Sequence, residues 1–560
     1  MLAQAPRPRP VESELPIHQP LVRLSVAITT PTNRRLRHME SSSSNESQGV
    51  FDHVGSAIWL HGHSAPARPC AFLGSQSMTY EDLTRQSSSV ASRLAASRMP
   101  RGGRIGLLTS TELNFLPLMV GTWIAGGVVV PFSNLLPPEA LARLIVDADL
   151  HAIVVSSELR GQLDRALAIL SNGGVPRTFT VADLTEPRDS PETFRPLRLE
   201  PNDPCSLLYS SGTTGLPKGI LHSHHGRLMF ALGMAAELSI SRWSRVLLTT
   251  PMYSNGAWLM ILPTLLMGGT LHVMPAFSAD SFVSTCRTAS ITHTFVVPLQ
   301  CAVVLTSSQF ARDSLSSLQG LVCGGAALAK GIKQRWLEVL GGSFVELYGM
   351  TEGFGTLVRP ALKAQPLECG VGSPMAGTDL RIIDASGDEV PLGQIGEVVG
   401  RSAVLLTEYF RKPDQDAESV WRDRGGTSFF RSGDIGYLDR DRNLHIVDRK
   451  KDMIISGGFN VYPSDIEAVL ITHPEVREAT VIGLLDEKWG ETPLALVILK
   501  PDATIDATTL QAWCNDRLSK IQRISQLEFV REFPRNALGK VLKRTLREQR
   551  SMAPTPEVRG

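Results

Sequence analysis

Two long stretches of the chain carry no Asp, Glu, Lys or Arg, and they share one plan. Phe115–Phe132 reads FLPLMVGTWIAGGVVVPF, and Trp258–Phe277 reads WLMILPTLLMGGTLHVMPAF. Each runs from an apolar segment of helix length, through a Gly-Gly pair, into a short apolar run. The first nearly reaches the length of a membrane span, but Pro117, Gly126, Gly127 and Pro131 interrupt it. The pattern predicts a buried helix, a Gly-Gly break and a buried strand, twice over. Shorter apolar runs (RIGLLTS, HAIVVSS, RVLLTT, THTFVVP and LQGLVCGG) alternate with amphipathic stretches to about residue 440. That alternation predicts an α/β architecture. In MTYEDL, Thr79 and Asp82 have the spacing of a capping box at a helix start.

Between Leu380 and Asp448 the pattern changes to hairpins. LRIIDASGDEV and IGYLDRDRNLHIVDR predict turns at Ser386-Gly387 and Asp439–Asn443. A charged link, Asp448–Asp452 (DRKKD), leads into a smaller unit. There SDIEAVLITH predicts a helix capped by Ser464 or Asp465, EATVIGLLD and PLALVILK predict strands, and DATTLQAWCNDRLS predicts a second helix. The fold class expected is α/β: a large multi-subdomain N-terminal body, residues 49–449, and a small α+β C-terminal domain, residues 450–548, with a tail at 549–560. Residues 1–48, rich in Pro, Arg and Ser, lack apolar periodicity and are expected to be disordered. Their excess of arginine permits a transit peptide, which Glu12, Glu14 and the early prolines oppose. Met39 is an alternative start.

Composition narrows the function classes. A net charge of +1 over 560 residues gives no reason to expect nucleic acid, whose binding needs basic patches. The seven cysteines contain no Cys-x-x-Cys pair, against a zinc ribbon or a disulfide scaffold. Cys205 and Cys323 sit in apolar runs and read as buried structural thiols. A reducing, cytoplasmic setting is expected, with no transmembrane segment. The sequence permits a homo-oligomer.

The loop YSSGTTGLPKGI, Tyr209–Ile220, has almost nothing that packs in a core. Its glycines let backbone N–H groups approach a ligand closely, its hydroxyls add donors, and Lys218 adds a cation. Such loops cradle anions, most often phosphate; the plainer reading is a surface linker. Pro217 before the lysine and Gly219 after it exclude a Walker A loop, which needs Gly-Lys-Ser/Thr.

Four motifs stand in order: YSSGTTGLPKGI, LYGMTEG (Leu347–Gly353), RSGDIGYLDRDRNLHIVDRKKDMIISGGFNVYPSDIE, and PRNALGK (Pro534–Lys540). Together they resemble the adenylate-forming superfamily of acyl-CoA synthetases, peptide-synthetase adenylation domains and luciferases, over nearly all of the chain after residue 50. The resemblance implies a two-step reaction, in which a carboxylate and ATP give acyl-AMP and pyrophosphate, and a thiol then displaces AMP. It implies ATP and CoA as co-substrates and Mg2+ as the metal. Ser210, Ser211, Gly212, Thr213, Thr214, Gly215 and Lys218 match the loop over the β- and γ-phosphates. Thr351 matches the α-phosphate hydroxyl, Glu352 the magnesium ligand, and Tyr348 and Gly349 the adenine side. Gly324 and Gly325, in CGGAAL, match the strand end that borders adenine and acyl group. Asp434 matches the ribose carboxylate, Arg449 the second ribose/phosphate contact, and Lys451 the hinge. Gly457, Gly458 and Phe459 match the loop lining the pantetheine tunnel, and Lys540 the catalytic lysine of adenylation. In one place the chain departs from many relatives. In TPMYSNGAW, Tyr253 is kept, but Ser254 stands where they carry His beside the acid and the thiol tunnel. Trp258 and Met260 are candidates for the acyl pocket or for core packing.

The leading reading is a stand-alone acyl-CoA synthetase acting on a fatty or aryl/cinnamic-type acid. The alternatives are an enzyme loading a carrier protein in trans, a luciferase-like oxygenase, and a non-catalytic nucleotide-binding regulator. The intact Glu352, Asp434 and Lys540 oppose the last.

Overall fold

The computed structural model describes residues 53–170, 175–186, 194–210, 218–359, 366–457, 459–486, 488–535 and 539–551. The N-terminal segment expected to be disordered, most of the tail, residues 211–217 of the Gly-rich loop, and Gly458 lie outside them.

Both charge-free stretches fold as their pattern predicts. Helix Phe115–Ile124 leads to strand Val128–Pro131, and helix Asn255–Leu266 leads to strand Thr270–Val273. The two helices end in the same way. Gly126 and Gly268 both stand at φ +76°, where a side chain would be strained. The next glycines, Gly127 and Gly269, donate back to Thr122 O and Thr264 O, each at 2.8 Å. This is a left-handed glycine stop that satisfies the last helical carbonyls and turns the chain into a strand. Trp123 and Trp258 meet edge to face across one continuous core, ring centroids 5.8 Å apart. Their indole N–H groups donate to Cys205 O and Met252 O, each at 2.9 Å. Trp258 is fully buried, and so is Met260. For Trp258 the structure shows the core-packing side of that reading, with an aromatic partner distant in sequence.

Among the described residues the chain forms four sheets. The first runs, in spatial order, Ser373–Pro374, Gly355–Val358, Phe344–Gly349, Gly320–Gly324, His293–Val296, Arg245–Leu248, Thr270–Val273, Pro69–Leu73 and Gln76–Thr79. Its inner strands are parallel. The second runs Glu408–Tyr409, Lys218–Ser223, Pro204–Ser210, Val128–Pro131, Arg104–Leu108, Ala152–Val155 and Arg177–Thr180. The third is antiparallel and includes the hairpin Ser428–Leu438/Leu444–Arg449. Thr79 and Asp82 do form the capping box. All seven cysteines are free and buried. No described helix is long and apolar enough to cross a membrane.

The fourth sheet belongs to the small C-terminal unit. Strands Val476–Asp486 and Gly490–Leu499 form an antiparallel pair, flanked by Ile454–Ser456 and, in parallel, by Gln526–Phe529. Two of its helix ends depart from expectation. The first helix is Pro463–Leu470, with Pro463 in its first turn and no side-chain cap. Ser464 is drawn instead into a tertiary contact. Its hydroxyl donates to Val447 O at 2.6 Å and its N–H to Asp448 Oδ2 at 2.9 Å. Proline's fixed φ starts the helix without a capping oxygen. The last helix, Lys543–Ser551, runs into what was expected to be tail.

Candidate active site

The Gly-rich loop joins strands Pro204–Ser210 and Lys218–Ser223, which pair antiparallel with Ser210 opposite Lys218. Ser211, Gly212, Thr213, Thr214 and Gly215 lie outside the described residues. Lys218 therefore begins a strand. Its Nζ lies 4.7 Å from the ring centroid of Tyr409, a cation–π contact. The Tyr409 hydroxyl in turn donates to Glu352 Oε1 at 2.9 Å. Burial and that carboxylate push the phenol's pKa upward, so it stays a donor. The expected phosphate-loop lysine and the expected metal carboxylate are thus joined through one ring.

Thr351 and Glu352 occupy the turn between strands Phe344–Gly349 and Gly355–Val358. Three contacts hold this turn. Thr351 O accepts from His222 Nε2 at 2.9 Å, Glu352 O accepts from Leu406 N at 2.7 Å, and the Glu352 side chain accepts from Tyr409. Gly353 stands at φ +119°, and a Cβ there would lie 2.1 Å from Val404 O. Only glycine fits this close approach, which accounts for the last residue of LYGMTEG.

Asp434 is buried on strand Ser428–Leu438, opposite Arg449 in the hairpin register. Its Oδ2 accepts from the Tyr348 hydroxyl at 2.6 Å, and its Oδ1 lies 3.1 Å from Arg449 Nε. Burial, then the Asp434 charge, raise the Tyr348 pKa. Lys540 reaches the same cluster. Burial first, then the charges of Arg449 and Lys451, bring its pKa down to about 8 against the opposing pull of Asp434 and Asp452. Gly539, at φ +79°, stands against Leu299 of the body: a Cβ there would be 3.9 Å from Leu299 Cδ2. The structure therefore brings Lys540, Asp434, Arg449 and Tyr348 together.

It does not bring the loop at Gly457 into that cluster. Gly457, at φ +58°, packs against the Trp489 ring, and Phe459 is exposed. Lys451 lies in the turn between strands Leu444–Arg449 and Ile454–Ser456. Gly324 ends its strand, and Gly325 follows at φ +91°. Ser254 caps helix Asn255–Leu266, accepting from Ala257 N at 3.2 Å and donating to Pro251 O at 2.7 Å. The Tyr253 hydroxyl is buried and has no hydrogen-bond partner among the described residues.

Among the described residues no group of three or more His, Cys, Asp or Glu side chains is arranged to hold a metal. A single carboxylate, Glu352, fits magnesium, which keeps waters and takes its other ligands from phosphates. Sequence reasoning missed Tyr409 and His222. The signal for His222 was a histidine inside an otherwise apolar strand, KGILHS; for Tyr409 there was no local signal.

A family model described as "AMP-binding enzyme" matches residues 60–410, and one described as "AMP-binding enzyme C-terminal domain" matches residues 465–540. The chain is 32% identical to a feruloyl-CoA synthase of an Amycolatopsis species over 478 residues, 85% of this chain and 94% of that protein. It is 30% identical to the fatty acid–[acyl-carrier-protein] ligase ScoC of Streptomyces coeruleorubidus, over 88% of this chain and 95% of that one. Among solved structures, ATP-bound MatB from Rhodopseudomonas palustris superposes with a TM-score of 0.81 at 26% identity, covering 89% of this chain and 99% of that one.

Proposed function

We propose, from the premise that the chain belongs to the AMP-binding enzyme family, that it is an AMP-forming acid–thiol ligase that converts a fatty or aryl/cinnamic-type acid to its CoA thioester. In the first step a carboxylate oxygen attacks the α-phosphorus of ATP. The bond to the bridging oxygen breaks, and pyrophosphate leaves. In the second, the CoA thiol sulfur attacks the acyl carbon, and AMP leaves. The observation that carries this reading is the meeting of Lys540, from the small domain, with Asp434, Arg449 and Tyr348 of the body.

Each role follows from chemistry. Lys540 offsets the repulsion between two anions as they approach, a preorganised charge worth about 3–4 kcal/mol in comparable sites. Asp434 accepts from the ribose hydroxyls, and Arg449 orients it. Thr351 donates to the α-phosphate. The loop from Ser210 to Lys218 takes the charge that develops on pyrophosphate. When bound at Glu352, Mg2+ supplies neutralisation of phosphate charge. Lys451 is the hinge about which the small domain turns, so that Gly457–Phe459 replaces Lys540 over the acyl-phosphate centre for the second step. The feruloyl-CoA relative supports CoA as acceptor; ScoC supports a second reading, a carrier protein loaded in trans.

The test is pyrophosphate release from a panel of carboxylic acids with Mg·ATP, with and without CoA. We expect acid-dependent release, and acyl-CoA only when CoA is added. Release without thioester formation on CoA would move the acceptor to a carrier protein. No release with any acid would overturn the ligase reading.

A further inference from the structure

We infer that Arg227 and His222 are positioning residues that tie the acid side of the site to the α-phosphate turn. The inference rests on the reading of Thr351–Glu352 as the nucleotide turn and adds two residues to it.

Arg227 lies in helix His224–Leu238 and is 2% exposed. A buried guanidinium is costly unless it is paired, most often with a carboxylate. Among the described residues Arg227 has none in ion-pair range. It is held by three neutral acceptors instead. Nε donates to Ser206 Oγ at 3.0 Å, Nη1 to Asn255 Oδ1 at 3.3 Å, and Nη2 to His222 Nδ1 at 3.2 Å. Its plane also lies 5.2 Å from the Trp258 ring and 5.8 Å from the Phe230 ring.

The partners fix the state of His222. Thr351 O can only accept, so Nε2 carries the hydrogen. Arg227 can only donate, so Nδ1 is bare. The result is a directed chain from Arg227 Nη2–H through a neutral imidazole to the Thr351 carbonyl. At its other end Arg227 reaches Asn255, which begins the helix that Ser254 caps, on the side expected to face the acid. Arg227 and His222 together therefore span from the acid-side helix to the phosphate-side turn. Only the arginine fork provides donors in three fixed directions; a lysine is a point charge on a flexible stem. A misplacement of about 1 Å at such a turn costs about 100-fold in rate.

The test uses the full-length enzyme and compares His222→Leu, His222→Gln, Arg227→Met, Arg227→Lys and Asn255→Ala. Steady-state pyrophosphate release gives kcat and KM for ATP and for the acid, and thermal unfolding is measured in parallel. We expect His222→Leu and Arg227→Met to lower kcat/KM by about 10–100-fold. His222→Gln should recover most of that loss, because a Gln amide both donates to Thr351 O and accepts from Arg227. Arg227→Lys should not. Asn255→Ala, at a partly exposed position, should raise KM for the acid about 3–10-fold and leave KM for ATP unchanged. The inference is overturned if His222→Gln is as impaired as His222→Leu at equal Tm, or if Arg227→Met and Asn255→Ala stay within about twofold of wild type. If the Leu and Met variants do not fold, His222→Gln and Asn255→Ala decide. Glu352→Ala separates the two readings. An active Glu352→Ala removes the nucleotide-turn reading, whereas an inactive one beside normal Arg227 and His222 variants removes this inference alone.

Discussion

In the body, each candidate group is held from behind. Thr351 is tied to His222, Glu352 to Tyr409 and Leu406, and Asp434 to Tyr348 and Arg449, largely out of water. In the small domain the corresponding groups sit at turns and at a strand end. Lys540 follows a left-handed glycine whose neighbour in the body is Leu299, and Phe459 stands exposed beside a Gly457 that leans on Trp489. The difference matches the division of labour proposed above. On that proposal, groups that hold the nucleotide are fixed before it arrives. Lys540 and the Gly457–Phe459 segment, each proposed for a single step, are carried on the small domain.

The largest effect that tests this contrast is Lys540→Ala. It should lower acyl-AMP formation by about 10²–10³-fold while sparing the transfer of supplied acyl-AMP to CoA. Single-turnover assays of each half-reaction check it; equal damage to both would make the small domain a fixed lid. Glu352→Ala should follow, with a loss of about 100-fold and an altered magnesium dependence, read from a Mg2+ titration of pyrophosphate release. In the same titration Tyr409→Phe should give a smaller loss, about tenfold, because it removes only the hydrogen bond that orients Glu352. Gly458→Leu should do the reverse of Lys540→Ala, slowing thioester formation about tenfold and sparing acyl-AMP formation.

The smallest effect concerns stability. His53, His222 and His224 are buried in the body, and burial lowers all three pKa values, that of His53 to about 4. Between about pH 4 and 6.5 the unfolded chain binds protons that the folded body refuses. The body should therefore lose stability as pH falls below 6.5, by at most about 1.4 kcal/mol per pH unit for each such histidine, and lose nothing from them above pH 7. Thermal unfolding from pH 7.5 to 5, followed by a body tryptophan signal, measures this. A midpoint that does not fall would place the acid-sensitive groups elsewhere.

Much of the fold was legible because its signals are local. A Gly-Gly pair after an apolar helix is a stop written in adjacent residues, and the turn at Asp439–Asn443 pairs Leu438 with Leu444; the shift of register between Ile435 and Gly436, which no local pattern announces, then puts Asp434 opposite Arg449. Contacts between distant residues were not legible. Tyr409 lies 57 residues from Glu352, and His222 lies 129 from Thr351. No periodicity brings them together; the edge strand Glu408–Tyr409 does so by pairing with Lys218–Ser223. The expected cap at Ser464 failed because Val447 and Asp448 competed for its hydroxyl and its N–H. The packing of Trp258 was not legible because its partner, Trp123, belongs to another charge-free stretch.

The pKa of about 8 at Lys540 has a consequence for proton traffic. Burial and Arg449 hold the ammonium close to the point where it sheds its proton, and every anion that arrives beside it raises that point. Near pH 8 the approach of phosphate and carboxylate must therefore draw a proton from the buffer onto Lys540. On the role proposed for Lys540, the substrates themselves complete the charge that serves the first step, and the heat of their binding should vary with the ionisation enthalpy of the buffer.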